Sequence, residues 1–245
     1  MIKIVSAYPD FLNLYGEYAA VKILVKRLEG CGEQVEYCSF TMGEYLDFSE
    51  ATVLYFGAGT EDRMLAALED FRRYRKEYGN FIMNGGLVVA NGNSGAIFCD
   101  SINDTRKNIT HEGMGLISAD AEIVSKRRYG EVICSCDLTQ SKIIGAVNSS
   151  INFKRKEGQK EFFRVLWDSS GRFPKEYREG FETENVIATE VTGPLLYRNP
   201  ALLDAFAQKI SKKGLPKCEA DWYKEMQEGY IHIASELSRE SKIAF

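Results

Sequence analysis

Apolar residues along this chain recur in two rhythms. Residues 2–7 read as a strand. Residues 17–28 carry Ala20, Val21, Leu24 and Leu28 at helical spacing before Gly30 and Gly32 end the run. Residues 34–40 set Val35, Tyr37 and Ser39 against Glu36, Cys38 and Phe40, a second strand with mixed faces. Residues 52–56 are almost wholly apolar, as expected of a strand covered on both sides in a parallel sheet. Thr60 is a candidate cap for the next helix, with Glu61 and Asp62 in its first turn and Met64, Leu65, Leu68 and Phe71 as its buried stripe. That helix is predicted to break near Tyr78-Gly79 and end at Gly85-Gly86. A fourth strand follows in residues 87–90, then the turn "NGNSG" (residues 91–95) and a further helix.

The order β-α-β-β-α-β predicts an α/β fold with an open, mostly parallel, doubly wound sheet, whose ligands bind at the carboxyl ends of the strands near a topological switch point. Two such ends are glycine-rich, Gly57-Ala58-Gly59 and Gly92 to Gly95. Beyond residue 121 the pattern changes to short strands at 122–125, 132–136, 143–145, 162–167 and 185–191. The tail then turns helical, first over 201–210. After Pro216 the stripe Trp222, Met226, Tyr230, Ile233, Leu237 reads as a face docked on the chain's own core. We read residues 1–213 as one domain and residues 214–245 as a helical extension packed on it.

Composition narrows the function classes. A net charge of -4 supplies no field to gather nucleic acid. The clusters Arg72-Arg73-Tyr74-Arg75-Lys76 and Lys126-Arg127-Arg128 read as solvated faces. No run approaches the roughly 20 apolar residues of a membrane span, so a cytoplasmic protein is expected. The spacings of the six cysteines and the presence of only two histidines (His111, His232) assemble no ordinary metal tetrad, so no metal and no cofactor are expected.

Six stretches, in order, resemble the class I glutamine amidotransferases of the cobyric acid synthase type, with nearest likeness to the glutaminase subunits of lipid II isoglutaminyl synthases. They are "YPDFLNLYGEYAAV" (8–21), "YFGAGTEDR" (55–63), "LVVANGNSGAIF" (87–98), "GMGLISADAEIVSKRRYGE" (113–131), "IIGAVNS" (143–149) and "IATEVTGPLLYRNPALLDAF" (187–206). The resemblance implies a flavodoxin-like sheet, a cysteine nucleophile on the strand-to-helix elbow, backbone donors for the oxyanion, and a histidine base late in the chain. The elbow position is Asn91 and the base position is Thr192, so both halves of the dyad are replaced.

Other pieces of the site persist. Gly57, Ala58 and Gly59 keep most of a triple glycine, and Gly92 follows the nucleophile position. Arg127 stands where the family carries an arginine that grips glutamine, with Arg128 equally near. Asn148 is retained while Ala146, Val147 and Ser149 depart from the family pattern. Cys99, eight positions past Asn91, reads as a buried residue two turns into the following helix, too far to replace the thiol.

The resemblance with an empty dyad implies first a non-catalytic amidotransferase-like subunit that binds a Mur-ligase-like or other synthetase partner, in cell-wall precursor amidation. A second reading is a binding module in which Gly57, Ala58, Gly59, Asn91, Gly92, Arg127 and Asn148, with Ser94, hold a glutamine-like small molecule. A third is changed chemistry in the same cleft through Ser94, Thr192 or Glu190.

Overall fold

A computed structural model of the chain describes residues 1–174, 177–211 and 213–245. The first half alternates as its apolar pattern predicts: β1 (Ile2–Ala7), α1 (Tyr18–Gly30), β2 (Val35–Phe40), β3 (Val53–Phe56), α2 (Glu61–Phe71), α3 (Arg75–Met83) and β4 (Leu87–Asn91). The second half is richer in strands: β5 (Cys99–Asp104), β6 (Ile109–Glu112), β7 (Ile117–Cys136), β8 (Thr139–Arg155), β9 (Phe163–Asp168), β10 (Arg178–Glu179), β11 (Phe181–Glu182), β12 (Val186–Thr189) and β13 (Val191–Thr192). Three helices close the chain, α4 (Leu195–Arg198), α5 (Pro200–Ile210) and α6 (Asp221–Ser241).

Among the described residues the strands form two sheets. The first has the order β11-β12-β4-β3-β1-β2 and is parallel except for β11. Its central strands β3 and, up to Asn91, β4 are apolar because both faces are covered. Ile4, Val53, Tyr55 and Val89 pack with residues of α1 and α5, while Val5, Leu54, Phe56, Val88 and Ala90 pack with α2 and α3. Thr60 caps α2 by accepting the Arg63 backbone N–H at 3.3 Å.

Four expectations are corrected. The helical segment breaks at a 3₁₀ turn over Arg72–Tyr74, and α3 runs through Gly79. After β4 comes only a 3₁₀ segment, Gly92–Phe98, so Cys99 is not a helix residue but opens β5, where burial pushes its thiol up. The short strands expected near 122–125 and 132–136 are one strand, β7, paired along most of its length with β8. Between Ile123 and Arg128 the partners on β8 advance only from Ile151 to Ser149, five steps against two, so three extra residues bulge out of β7. That bulge turns Arg127 and Arg128 toward the first sheet.

The strand expected at 185–191 is divided. β12 lies beside β4 in the first sheet, whereas β13 pairs with β8 in the second, so the chain crosses between sheets at Glu190. The crossing is buried and polar. Glu190 donates its N–H to Glu179 Oε1, Thr189 Oγ1 donates to Glu179 Oε2 at 2.7 Å, and Arg128 Nη2 reaches Glu190 Oε1 at 2.6 Å. Burial, then the neighbouring Glu190, pushes the Glu179 carboxyl up to about 8; burial also raises Glu190, offset in part by Arg128.

The apolar stripe of the last helix covers this chain's own sheet: Leu237 packs with Ile133 and Ile144, and Tyr230 OH donates to Lys142 O at 2.7 Å. α1, α5 and α6 meet at Arg27, a buried guanidinium that donates to Asp204 Oδ1 and Pro216 O, each at 2.7 Å, while Tyr223 OH donates to Asp204 Oδ2 at 2.6 Å.

Asp204→Ala leaves that guanidinium buried without its counter-charge and is expected to lower the unfolding free energy by about 2–3 kcal/mol. A urea titration that finds under about 0.5 kcal/mol refutes the pairing, since that is the scale of an ordinary surface substitution. The Glu179 carboxyl adds a pH term. Its folded value lies above the ordinary 4.5, so between that and about 8 the folded chain holds a proton that the unfolded chain releases. Stability therefore falls as pH rises through this window, by at most about 1.4 kcal/mol per unit, and levels off above it. Glu179→Gln is expected to flatten that fall in urea midpoints taken at acid, neutral and alkaline pH; parallel profiles for the two proteins would contradict it.

Candidate functional site

The carboxyl ends of β3 and β4 lie side by side and present the two glycine-rich turns to each other. The fit between them is tight. A Cβ on Gly57 would stand 2.0 Å from Leu12 O, and one on Gly92 would stand 2.5 Å from Ala58 Cβ and 3.2 Å from Thr192 Cγ2. Gly92 also holds φ at +66°, the left-handed region open to glycine. The elbow expected after β4 is thus formed, and it brings positions 91, 92 and 192 together with the 57–59 loop.

What fills the elbow is a closed set of hydrogen bonds. Asn91, 3% exposed, donates its amide Nδ2 to Val191 O at 3.2 Å. Thr192, 4% exposed, donates its hydroxyl to Ala146 O at 3.1 Å. Ser94 is fully buried, with its hydroxyl 2.9 Å from Asn91 O and 3.3 Å from Phe56 O. Asn93 clamps the facing loop: its Oδ1 accepts the Gly59 N–H at 3.1 Å and its Nδ2 donates to Gly59 O at 2.8 Å. The Gly59 amide is therefore already bonded.

The arginine segment is engaged too. Arg127 Nη2 lies 2.8 Å from both carboxylate oxygens of Glu61, and its Nη1 reaches Asn148 O and Oδ1 at 3.3 and 3.2 Å. Arg128 turns to Glu190, Asn152 and Ile151 O at the sheet crossing. Two adjacent arginines equally near in sequence thus divide: Arg127, with Asn148, faces the cleft mouth, and Arg128 braces the crossing.

Two carboxylates join the site that the sequence reading had not assigned to it. Glu17 is buried and accepts the Gly193 N–H at 3.1 Å and the Tyr15 N–H at 3.0 Å. Burial raises its carboxyl, and these backbone donors pull it back. Its signal was present in the sequence: Glu17 falls on the buried stripe of Ala20, Val21 and Leu24, where a charge must find internal partners. Glu61 was read only as a first-turn acid. Burial alone would raise its carboxyl, but the Ser150 hydroxyl, the amide at its own helix start and Arg127 together hold it below the ordinary range. His111 lies in β6 and His232 on the exposed side of α6, 3.6 Å from Glu236.

Such an arrangement can hold polar groups in a rigid, water-poor setting, but it aligns no nucleophile with a base among the described residues. Among them, too, no group of three or more His, Cys, Asp or Glu side chains could hold a metal ion, and no helix is long and apolar enough to cross a membrane.

No family model matches the chain. It is 22% identical over 210 residues to the lipid II isoglutaminyl synthase (glutamine-hydrolyzing) subunit GatD of Staphylococcus aureus (strain N315), covering 84% of each protein. Among solved structures it is similar in fold to a glutamine amidotransferase (TM-score 0.53, 15% identity, 84% of this chain and 98% of that one). A likeness of the same order relates it to the protein SMU.1228c (TM-score 0.52, 11% identity, 97% of this chain and 100% of that one). In motifs, sheet topology and these likenesses the chain is similar to class I glutamine amidotransferases and to the GatD subunit.

Proposed function

We propose that this protein is a glutamine amidotransferase-like subunit without glutaminase activity, and that it works by binding a synthetase partner of the Mur-ligase-like kind in cell-wall precursor amidation. The observation that carries the reading is the elbow itself. Where the family's chemistry requires a thiolate stands a buried carboxamide, and where it requires an imidazole stands a threonine whose hydroxyl is bonded to Ala146 O. A carboxamide is no nucleophile, and no base is aligned with either Thr192 or Ser94 to activate a hydroxyl. The Asn93 clamp on Gly59 supports the same reading, because it ties up a backbone N–H of the loop that faces the elbow. A partner is suggested by the relative, which by name is a subunit of a synthase. On this reading residues 214–245 are a helical extension of the single 1–213 domain.

The binding-module reading draws on Gly57, Ala58, Gly59, Asn91, Gly92, Arg127 and Asn148. It is less favoured because each polar side chain among them already has an internal partner. Calorimetry with glutamine and glutamate separates the two readings: silence is expected of the wild-type chain.

Ammonia release from glutamine by the wild type is expected at background, since loss of a nucleophile that acts with its base costs about a millionfold. Asn91→Cys/Thr192→His is expected to remain poor, and addition of Asn93→Gly to raise it by about 100-fold or more by freeing the Gly59 N–H. Wild-type turnover comparable with a working glutaminase would sink the proposal. Co-expression with a Mur-ligase-like protein encoded beside this one is expected to yield a stable complex, and separate elution of the two would remove the partner.

A further inference from the structure

A cavity of about 230 Å³ opens beside β12, apart from the cleft, and is lined by Phe153, Arg155, Tyr177, Arg178, Gly180 and Phe181. The Phe153 ring stands between this cavity and the elbow, 3.8 Å from where a Cβ on Gly95 would lie, and it meets the Phe181 ring edge to face at 5.1 Å. The cations of the cavity are short of negative charge. Arg155 lies over Phe181 at 4.5 Å and donates only to backbone carbonyls, those of Gln159 and Arg178 at 3.3 Å and of Gly180 at 2.6 Å. These bonds use three of the five N–H donors of a guanidinium, and the other two have no partner among the described residues. Nor does any carboxylate among them pair with Arg155: Glu161 turns to Arg164 at 3.0 Å, and Glu179 takes the Glu190 N–H and the Thr189 hydroxyl. Arg178 stands directly opposite Arg164 across the β9–β10 pair, a repelling arrangement, and reaches the same Glu161 only at 3.9 Å. The Tyr177 hydroxyl has no hydrogen-bond partner among the described residues, and no acidic side chain lines the cavity.

We infer that this cavity is a binding site for a small organic phosphate monoester, with the phosphate held between Arg155, Arg178 and the Tyr177 hydroxyl and the apolar body laid against Phe153 and Phe181. The volume is several times the roughly 30 Å³ that one water takes up in the liquid, so a small organic ion has room. Two guanidiniums match the roughly double charge of a phosphate monoester at neutral pH, whereas a single carboxylate would leave one of them unmet. The two rings supply the apolar area that the body of the ligand needs. An arginine that merely strapped the 178–180 turn to β8 would need neither a second arginine nor a free hydroxyl beside it, and its cavity would take up no anion. The inference goes beyond the proposed function and does not rest on it, since it involves neither the elbow nor a protein partner.

Calorimetry on the full chain at neutral pH, with phenyl phosphate as the probe at millimolar concentration, is expected to show saturable binding at one site. Inorganic phosphate, which lacks the ring, and benzoate, which lacks the second charge, are each expected to bind about fivefold more weakly or worse, and phenol not at all. Arg178→Met alters a side chain that is 70% exposed and so leaves folding intact; it is expected to weaken phenyl phosphate about tenfold. Tyr177→Phe keeps the ring and is expected to weaken it about threefold or more by loss of one hydrogen bond. Arg155→Met is expected to abolish binding, and should that chain fail to fold, the Arg178 and Tyr177 variants carry the test alone. Arg127→Met, in the cleft, is expected to change nothing. Silence of the wild type, unchanged affinity in Arg178→Met or Tyr177→Phe, benzoate or phenol as good as phenyl phosphate, or loss of binding in Arg127→Met overturns the inference.

Discussion

The placement of the whole cleft depends on one crossing. At Glu190 the chain leaves the parallel sheet and enters the mostly antiparallel one, and the residue that makes the passage is a buried carboxylate. A charge buried there would be strongly destabilising if left unpaired. Arg128 supplies the counter-charge, and the neighbouring Glu179 takes the Glu190 backbone N–H and the Thr189 hydroxyl. Because Thr189 is in register with Asn91 and Thr192 with Ala146, this fixed crossing sets how the elbow of one sheet meets the hairpin of the other.

Around that crossing the polar side chains of the elbow find internal partners, while Glu190 Oε2 and Arg128 Nε at the crossing stay buried without one among the described residues. Asn91, Asn93, Ser94 and Thr192 bond to backbone groups of neighbouring strands and loops, while Glu17 and Glu61 absorb the remaining strong donors. Every one of these groups would carry a desolvation penalty if unpaired, so mutual pairing removes the cost and also the capacity to receive a reacting group. A catalytic cleft keeps some donors poised for charge that appears only in the transition state. Here the Gly59 amide of the facing loop is already bonded to Asn93 in the resting chain.

Much of this was legible in the residues. All-apolar runs at 53–56 and 87–90 give central parallel strands because a period-two pattern has no polar face to lose to solvent. Thr60 with Glu61 and Asp62 marks a helix start through its cap and dipole. The elbow was legible from Gly92, whose positive φ and contact with Ala58 leave no room for a side chain. Arg127 and Arg128 were not separable, because a bulge alters which way consecutive side chains point and periodicity carries no trace of it. Cys99 was misplaced for a related reason: seven residues after β4 wind as a 3₁₀ segment and then extend, and local pattern does not distinguish that from two turns of α-helix.

The sequence by itself determined the parallel half of the fold, the family likeness, and the absence of thiol and imidazole at positions 91 and 192, since these follow from residue identity and short-range periodicity. Tertiary structure decided which charges meet: that Glu61 takes Arg127, that Glu190 takes Arg128, and that Asn93 takes Gly59 across the elbow. Those pairs join residues 34 to 66 positions apart, brought together only by strand order, bulge and sheet crossing.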